Sequence, residues 1–199
     1  MKLIARFHSL FCLLYSQVFY RLTMNDFGKK SRIIKPLLIT NHKYISIADN
    51  VLIRNGVRIE VVDPQNKVVI KIGSNVNIEQ NVHIVARCLV EIGNNVSITG
   101  GVSIVDVVHP YDEINPNKKI GDRISTTPMP VLIGDNSFIG FGAHINPDVK
   151  IGENCIIGAN SVVTKDVPDY CVVAGAPAKI IKRYCEQSQV WKRVTYDTK

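Results

Sequence analysis

Apolar residues recur at every sixth position from Ile133 onwards, and the same spacing is present earlier in the chain. Glycine often follows the apolar residue directly, and a small or aliphatic residue comes four positions later. An earlier stretch repeats the pattern with a two-residue slip between Ile84 and Ile92, and a weaker prelude precedes it. The repeated positions are Ile47, Ile53, Ile59, Ile72, Ile78, Ile84, Ile92, Ile98, Ile104, Ile133, Ile139, Ile145, Ile151, Ile157 and Val163.

A period of six matches neither the 3.6-residue period of an α-helix nor the longer strands of a hairpin sheet. It predicts a coil of three short strands, each with one inward apolar residue, so that about eighteen residues complete a turn. The 26 Ile and 25 Val against 10 Leu agree, because β-branched residues favour strands over helices. We therefore predict a mostly β protein built as a parallel β-helix. An ordinary β-sandwich with accidental spacing is the alternative.

The pattern divides the chain into three segments. Residues 1–44 form an amphipathic segment that caps the fold, residues 45–176 form the β-helix, and residues 177–199 form a basic tail that we expect to be helical. The six-residue spacing stops in an insertion loop at 105–130. The apolar run 7–20 is too short to cross a bilayer. Because basic residues flank it, peripheral contact with the inner membrane surface is a second expectation for this segment.

Charge and cysteine content restrict the function classes. The net charge of +7 divides into +7 for residues 1–43, −4 for 44–176 and +4 for 177–199. A nucleic-acid-binding protein would have a basic face along the fold, so we expect no nucleic-acid partner. The five cysteines are odd in number, widely spaced and without a CxxC motif, which indicates a reducing compartment and thus the cytoplasm.

The stretch from Pro130 to Tyr184, with GANSVVTKDVP and VVAGAPAKIIKRY, resembles the hexapeptide-repeat acyltransferases, and the resemblance extends over about residues 45–184. That family folds as left-handed parallel β-helices, so the handedness comes from the resemblance and not from the spacing. Within the family, the chain is similar to O-acetyltransferases of bacterial surface polysaccharides such as O antigens and capsules. The resemblance implies acetyl-CoA as co-substrate, a sugar or glycan acceptor, and a homotrimer whose active site lies between two subunits.

His109, at the start of the insertion loop, matches the catalytic histidine of this family. Its imidazole can take the proton of a sugar hydroxyl while the oxygen attacks the acetyl thioester. Asp106, three residues earlier, either orients the imidazole through its other nitrogen or is a solvated acid at the loop mouth. Relatives usually carry a second histidine at the position of Val107, so any role of that residue is absent here.

The resemblance also indicates residues that contact the acceptor. His83 takes the place of a polar residue that faces the sugar in related enzymes, and Asn81 is the fallback for this role. Phe138 matches a position that often holds tryptophan near the acceptor. Alternation points His144 outward beside the inward Ile145, and we expect a structural role for it.

Acetyl-CoA requires a narrow groove for pantetheine and cations for its phosphates. In the resemblance, residues 138–143 lie beside the thioester, and their backbone amides are candidates for stabilising the tetrahedral oxyanion. The positions that match the family's coenzyme contacts are Phe141, Gly142, Ala159, Thr164 and Lys165 along the coil, and Lys179, Lys182 and Arg183 near the 3′-phosphate.

Three other functions stay open at this point. The same fold could acetylate the amine of a nucleotide-linked amino sugar. It could form a metal protein similar to the γ-class carbonic anhydrases, which need three histidines around zinc. His83, His109 and His144 are available, but no histidine follows His109 at the required spacing, so we expect no metal. A coil scaffold without catalytic activity is the last alternative.

Overall fold

The computed structural model describes residues 2–65, 67–112, 114 and 117–195, with side chains from residue 10 onwards. Helix α1 (Lys2–Thr23) is followed by short strands that form three sheets. Sheet A contains β1 (Asp26–Phe27), β4 (Ile45–Ile47), β7 (Ile70–Ile72), β10 (Val90–Ile92), β13 (Val131–Ile133) and β16 (Lys150–Ile151). Sheet B contains β2 (Arg32–Ile33), β5 (Leu52–Ile53), β8 (Asn77–Ile78), β11 (Ser97–Ile98), β14 (Phe138–Ile139), β17 (Ile156–Ile157), β19 (Cys171–Gly175), β20 (Ala178–Cys185) and β21 (Val190–Arg193). Sheet C contains β3 (Leu38–Ile39), β6 (Arg58–Val61), β9 (His83–Ala86), β12 (Ser103–Val105), β15 (His144–Ile145) and β18 (Val162–Val163).

Successive strands of the chain belong to sheets A, B and C in turn, and neighbours within each sheet pair in parallel as far as β19. In the described part of the chain, these strands stack as six complete coils, which is the architecture of the left-handed parallel β-helix that the resemblance implies. The register aligns the six-residue positions, as in the row Ile72, Ile92, Ile133 and Ile151 of sheet A. These side chains are almost completely buried, so they form the continuous core between the sheets.

The corner between sheets A and B explains why asparagine and glycine recur beside the core positions. Asn50, Asn75, Asn95 and Asn136 all have φ between 57° and 59°, a left-handed conformation that asparagine tolerates. Their side-chain amides form a chain of hydrogen bonds of 2.8–3.1 Å along this corner. At Gly73, a Cβ atom would lie 2.7 Å from the backbone of Gly93 in the next coil, so close stacking of the coils excludes a side chain there.

In the described part of the chain, the residues that exceed the six-residue spacing lie at the corner between sheets C and A, after β3, β6, β9 and β12. They belong to the segments 40–44, 62–69, 87–89 and 106–130, of which residues 66, 113, 115 and 116 are not described. Short 3₁₀ turns, His42–Tyr44 and Ile120–Asp122, occur in the first and last of these segments. The insertion loop therefore extends from a corner that is already built up by the loops of earlier coils.

Two boundaries from the sequence are wrong. The β-helix begins at Asp26, not at residue 45, because Phe27, Ile33 and Ile39 continue the inward six-residue spacing in a first coil. The basic residues of this coil and a phenylalanine in place of isoleucine concealed it. The C-terminal tail is not helical: β20 and β21 add to sheet B as antiparallel strands. Exposed and less exposed residues alternate along β20, which is the period of a strand. Residues 196–199 of the predicted tail lie outside the described residues.

Helix α1 covers the first coil as expected for a cap. Cys12, Ser16 and Tyr20 are buried on one face of the helix. The Ser16 hydroxyl accepts the N–H of Ile33 at 3.0 Å, and the Gln17 amide donates to the carbonyl oxygens of Gly28 and Ser31 at 2.9 Å. No helix in the described part of the chain is long and apolar enough to cross a membrane.

Candidate active site

A cleft of about 460 Å³ lies on the outer face of sheet C, beneath the insertion loop. His109 of the loop and His83 of β9 both line it, so the structure brings together the two histidines that the sequence singled out. The remaining lining residues are Arg58, Glu60, Val62, Val85, Val105, Val107, Gly121 and Ile124. The cleft therefore combines charged and imidazole groups from the strands with an aliphatic wall.

His109 has a defined tautomer. Its Nδ1 lies 2.7 Å from the backbone carbonyl oxygen of Arg123. A carbonyl oxygen only accepts hydrogen bonds, so Nδ1 carries the proton and Nε2 of the neutral ring has the lone pair. The two limbs of the loop are joined where the Ser125 N–H donates to the Val108 carbonyl at 2.9 Å. An exposed imidazole with Nε2 unprotonated has the form that a general base requires.

Asp106 does not orient this imidazole. It is 4% exposed, and its carboxylate accepts the backbone N–H groups of Arg87 at 2.6 Å and of Cys88 and Leu89 at 2.7 Å. Burial raises the pKa of Asp106, while the three amide hydrogen bonds and then the charge of Arg87 oppose that rise. The carboxylate thus holds the root of the insertion loop on the preceding corner, and the carbonyl of Arg123 takes the orienting role.

His83 belongs to a charged row on sheet C. Its Nε2 is buried, has no hydrogen-bond partner among the residues that the structure describes, and lies 3.7 Å from Oε1 of Glu60. The same Glu60 oxygen forms an ion pair with Arg58, whose strand position is directly beside His83. The His83 side chain is 37% exposed and the Glu60 side chain 16%. Together, the His83, Glu60 and Arg58 side chains can donate hydrogen bonds to, and accept them from, the hydroxyl groups of a polar ligand in the cleft.

The two other acceptor residues from the sequence lie elsewhere. Asn81 occupies the turn between sheets B and C with φ of 58°, and its side-chain oxygen lies against Gly56 of the preceding coil. Phe138 is on the outer face of sheet B and 43% exposed. Neither residue lines the cleft with His109, so within one chain the structure does not bring them to it.

Part of the expected coenzyme set stacks along the corner between sheets B and C. One turn there contains Phe141 and Gly142, and the turn stacked on it contains Ala159. The two turns are in close contact, since a Cβ on Gly142 would lie 2.5 Å from the side chain of Asn160. Lys179 continues this line. It pairs with Ala174 of β19, and the Ala174 side chain lies next to Gly158 of the preceding coil. Phe141 is 61% exposed.

The rest of that set is dispersed. Thr164 and Lys165 follow β18 at the corner between sheets C and A. On β20, Lys182 and Arg183 pair with Val172 and Cys171 of β19, beyond an irregularity in the pairing that separates them from Lys179. The Arg183 guanidinium donates to Sγ of Cys171 at 3.4 Å. The oxyanion role expected for the 138–143 amides is not supported for four of them, because they donate to carbonyl oxygens of the protein itself. These are the amides of Phe138, Gly140, Gly142 and Ala143.

Comparison with known proteins identifies the family. The family described as bacterial transferase hexapeptide (six repeats) matches residues 130–165. The WbbJ protein of Escherichia coli K12, provisionally assigned as a lipopolysaccharide biosynthesis O-acetyl transferase, is 31% identical over 185 residues, covering 90% of this chain and 89% of WbbJ. The chain belongs to the hexapeptide-repeat acetyltransferase family. The galactoside O-acetyltransferase of the same organism is 41% identical over 114 residues, which are 57% of this chain and 53% of that enzyme. The chain thus spans about half the length of this relative.

Solved structures share the fold of this hexapeptide-repeat acetyltransferase. AntD, an N-acyltransferase from Bacillus cereus in complex with dTDP and 3-hydroxybutyryl-CoA, matches with a TM-score of 0.71 at 19% identity, covering 87% of this chain and 90% of AntD. A maltose O-acetyltransferase from Clostridium difficile 630 matches at 0.57 and 25% identity, covering 91% and 84%. The hexapeptide-repeat acetyltransferase VCA0836 from Vibrio cholerae, complexed with acetyl coenzyme A, matches at 0.55 and 22% identity, covering 91% and 87%.

Sequence reasoning missed two residues of this cleft, Arg58 and Glu60. Both alternate with the inward Ile59, so the six-residue pattern already places them on the outer face of the coil. Their proximity to His83 depends on the pairing of β6 with β9 across an irregular corner, which the period does not give. Among residues 2–65, 67–112, 114 and 117–195, no group of three or more His, Cys, Asp or Glu side chains is arranged to hold a metal ion.

Proposed function

We propose that this acetyltransferase transfers the acetyl group of acetyl-CoA to a sugar hydroxyl in the biosynthesis of a bacterial surface polysaccharide, with His109 as general base. The observation that carries the proposal is the hydrogen bond from Nδ1 of His109 to the Arg123 carbonyl, at the mouth of a cleft that also contains His83 and Glu60. When the ring is neutral, this leaves the lone pair on Nε2 of His109, beside a sugar-sized space that has charged side chains and an aliphatic wall.

A single side chain, His109, can carry the proton through the whole acetyl transfer. The acceptor hydroxyl gives its proton to Nε2 of His109 as its oxygen forms a bond to the acetyl carbon. The tetrahedral intermediate then breaks its carbon–sulfur bond, and the proton passes from Nε2 to the departing CoA thiolate. General-base assistance of this kind is typically worth about 10²–10⁴ in rate. The Arg123 carbonyl stabilises the imidazolium that forms between the two steps, because it accepts from Nδ1 throughout.

The cleft also has the character of a carbohydrate site. A sugar presents hydroxyl groups at its rim and C–H groups on its faces, so it needs hydrogen-bonding side chains beside an apolar wall. The hydrogen-bonding side chains are those of Glu60, Arg58 and His83, and the valines of β9, β12 and the loop form the apolar wall. The match with WbbJ over 90% of this chain supports a surface-polysaccharide acceptor over a free disaccharide.

Acetyl-CoA would lie along the corner between sheets B and C, where Phe141, Gly142 and Ala159 form a stacked line that ends at Lys179. Lys179 is exposed and would bind a coenzyme phosphate. This line and the insertion loop border opposite edges of sheet C. We therefore propose a homotrimer in which His109 of one subunit acts on acetyl-CoA bound to the corner of its neighbour, and Phe138 borders the acceptor from there.

The test is a thiol-release assay with acetyl-CoA and a panel of hydroxyl acceptors, matched amino-sugar nucleotides, and lipid-linked glycans. His109→Gln should lower turnover at least about a hundredfold without changing acetyl-CoA binding measured by calorimetry. Lys179→Ala should mainly raise KM for acetyl-CoA. His42→Gln and Lys71→Ala, both outside the site, are the matched controls. Full activity of the His109 variant would refute the base assignment, and consumption of acetyl-CoA only with amine acceptors would refute the O-acetyl transfer.

A further inference from the structure

Helix α1 has a second apolar face that the β-helix does not cover. While Cys12, Ser16 and Tyr20 point into the fold, the opposite side presents large apolar side chains to solvent. Their exposed fractions are 51% for Leu10, 68% for Phe11, 58% for Leu14, 48% for Tyr15, 64% for Val18 and 81% for Leu22. We call these six residues the α1 outer face. A contiguous apolar surface of this kind marks an interaction site more often than an ordinary protein surface.

An apolar cleft opens beside this face, between the helix and the first coil. It has a volume of about 470 Å³, and its walls are mainly aromatic and aliphatic. Lys35 is the charged residue among its lining side chains, and the neighbouring Leu37 is 73% exposed. The lining residues are Phe11, Cys12, Tyr15, Tyr20, Ile33, Lys35 and Pro36. An apolar cavity with one cation has the chemistry to hold an acyl chain below a phosphate group.

The surroundings of the α1 outer face are strongly basic. Residues 1–43 carry eight Lys or Arg and one acid, Asp26. Exposed cations lie on the helix and on the first coil that it covers, namely Arg21, Lys29, Lys30, Lys35 and Lys43. A second copy of the chain would bring the same positive charge against itself, which opposes pairing through this face. An anionic surface is complementary both to the charge and to the apolar side chains.

We propose that helix α1 lies in the plane of an anionic phospholipid membrane, with its outer face among the acyl chains and one chain in the adjoining cleft. Lys29, Lys30 and Lys35 contact the phosphates of the headgroups. The helix is interfacial and not spanning, because its 22 residues are not apolar enough to cross a bilayer. The proposal does not depend on acetyl transfer, because it rests only on the apolar face, the cleft and the charge at the first coil.

The test is co-sedimentation of the full chain with vesicles of phosphatidylglycerol and phosphatidylcholine, and with phosphatidylcholine alone. The wild type should bind the anionic vesicles at least tenfold more tightly, and binding should weaken as salt is added. Val18→Glu should lower binding at least tenfold. The matched control is Val190→Glu, because Val190 is 50% exposed on β21 and the same change there should leave binding unaltered. A second variant, Lys29→Glu with Lys30→Glu, tests the charge without touching the helix.

The vesicle-binding results either support or overturn the proposed membrane contact of helix α1. Circular dichroism first confirms that the variants are folded, which the exposure of Val18 predicts. Equal binding to neutral and anionic vesicles, equal losses for Val18→Glu and Val190→Glu, or no binding at all would overturn the proposal. A change of oligomeric mass in Val18→Glu without a change in vesicle binding would also overturn it, and would assign the α1 outer face to a contact between copies of the chain.

Discussion

Replacing Asp106 with asparagine should destabilise the protein, while the folded fraction keeps His109, the base that we propose. In the native state, Oδ1 of Asp106 accepts the N–H of Arg87, and Oδ2 accepts the N–H groups of Cys88 and Leu89. An asparagine has only one acceptor oxygen. If that oxygen serves Cys88 and Leu89, its NH₂ group faces the N–H of Arg87, and two donors then oppose each other in a buried position.

The expected magnitudes follow from this geometry. A hydrogen bond to a charged group contributes about 1.5–3 kcal/mol, and an unsatisfied buried donor costs about 1–3 kcal/mol. Asp106→Asn loses one such bond, so we expect its free energy of unfolding to fall by about 2–3 kcal/mol. Asp106→Ala loses all three, and because the loop root relaxes and admits water, we expect about 4–5 kcal/mol and not the full sum.

The assay combines urea unfolding at one protein concentration with acetyl transfer measured well below the unfolding transition. His109→Gln is the reciprocal control, since its exposed side chain should leave stability within about 0.5 kcal/mol of the wild type while activity collapses. An Asp106→Asn protein with unchanged stability and a hundredfold loss of turnover would refute the reasoning. That result would give the orienting role back to the carboxylate.

Two further predictions concern titrating groups. Burial, and after it the nearby His83, lowers the pKa of His144 in the folded protein, so protonation of His144 favours the unfolded chain. The stability that neutral His144 contributes is therefore complete above its usual pKa of 6.5 and falls as the pH drops below that value. Urea unfolding at pH 7.5 and 5.5 should therefore show a smaller difference for His144→Gln than for the wild type, and an identical difference would contradict this. Hydrogen bonds from Ser188, assisted by Lys192, lower the pKa of Cys185 to about 7, so one thiol should react rapidly with a disulfide reagent near neutral pH. The fast phase should vanish in Cys185→Ser, and its persistence would assign it to another cysteine.

The β-helix was predictable from the sequence because its core follows a short-range rule. Each inward position, such as Ile98 or Ile139, is fixed by its own six-residue unit, and the stacking of coils only repeats that choice. The same rule would have included Phe27, Ile33 and Ile39 had the apolar position been read without regard to residue type. The C-terminal strands were missed for a different reason. A basic tail resembles a solvated helix in composition, and its strand character comes from the open edge of sheet B that it joins.

The candidate site was predictable only for residues whose type is itself diagnostic. His109 and His83 were proposed because they match positions of the hexapeptide-repeat acyltransferases, where a histidine or another polar residue serves the chemistry. Asp106 and Glu60 are single acids among fourteen in residues 44–176, and sequence alone does not tell a buried carboxylate from a solvated one. Their roles depend on the neighbouring coil. The backbone of residues 87–89 lies one coil before Asp106, and the His83 side chain lies one coil after Glu60. That neighbour is set by the number of residues inserted at each corner.

The corner between sheets C and A thus links the irregularity of the chain to its chemistry. A strict repeat would give every coil the same turn there, with no residue free to leave the stack. The short segment 87–89 after β9 instead offers three backbone N–H groups in one place, and Asp106 of the next coil uses all of them. Because the root of the loop is fixed in this way, the following residues leave the corner in a defined direction, and His109 is held against Arg123 above the row that contains His83. Loss of the carboxylate should therefore loosen the loop before it affects the coil, and hydrogen exchange should show faster exchange of the Cys88 and Leu89 amides while the buried strands of sheet B keep their protection.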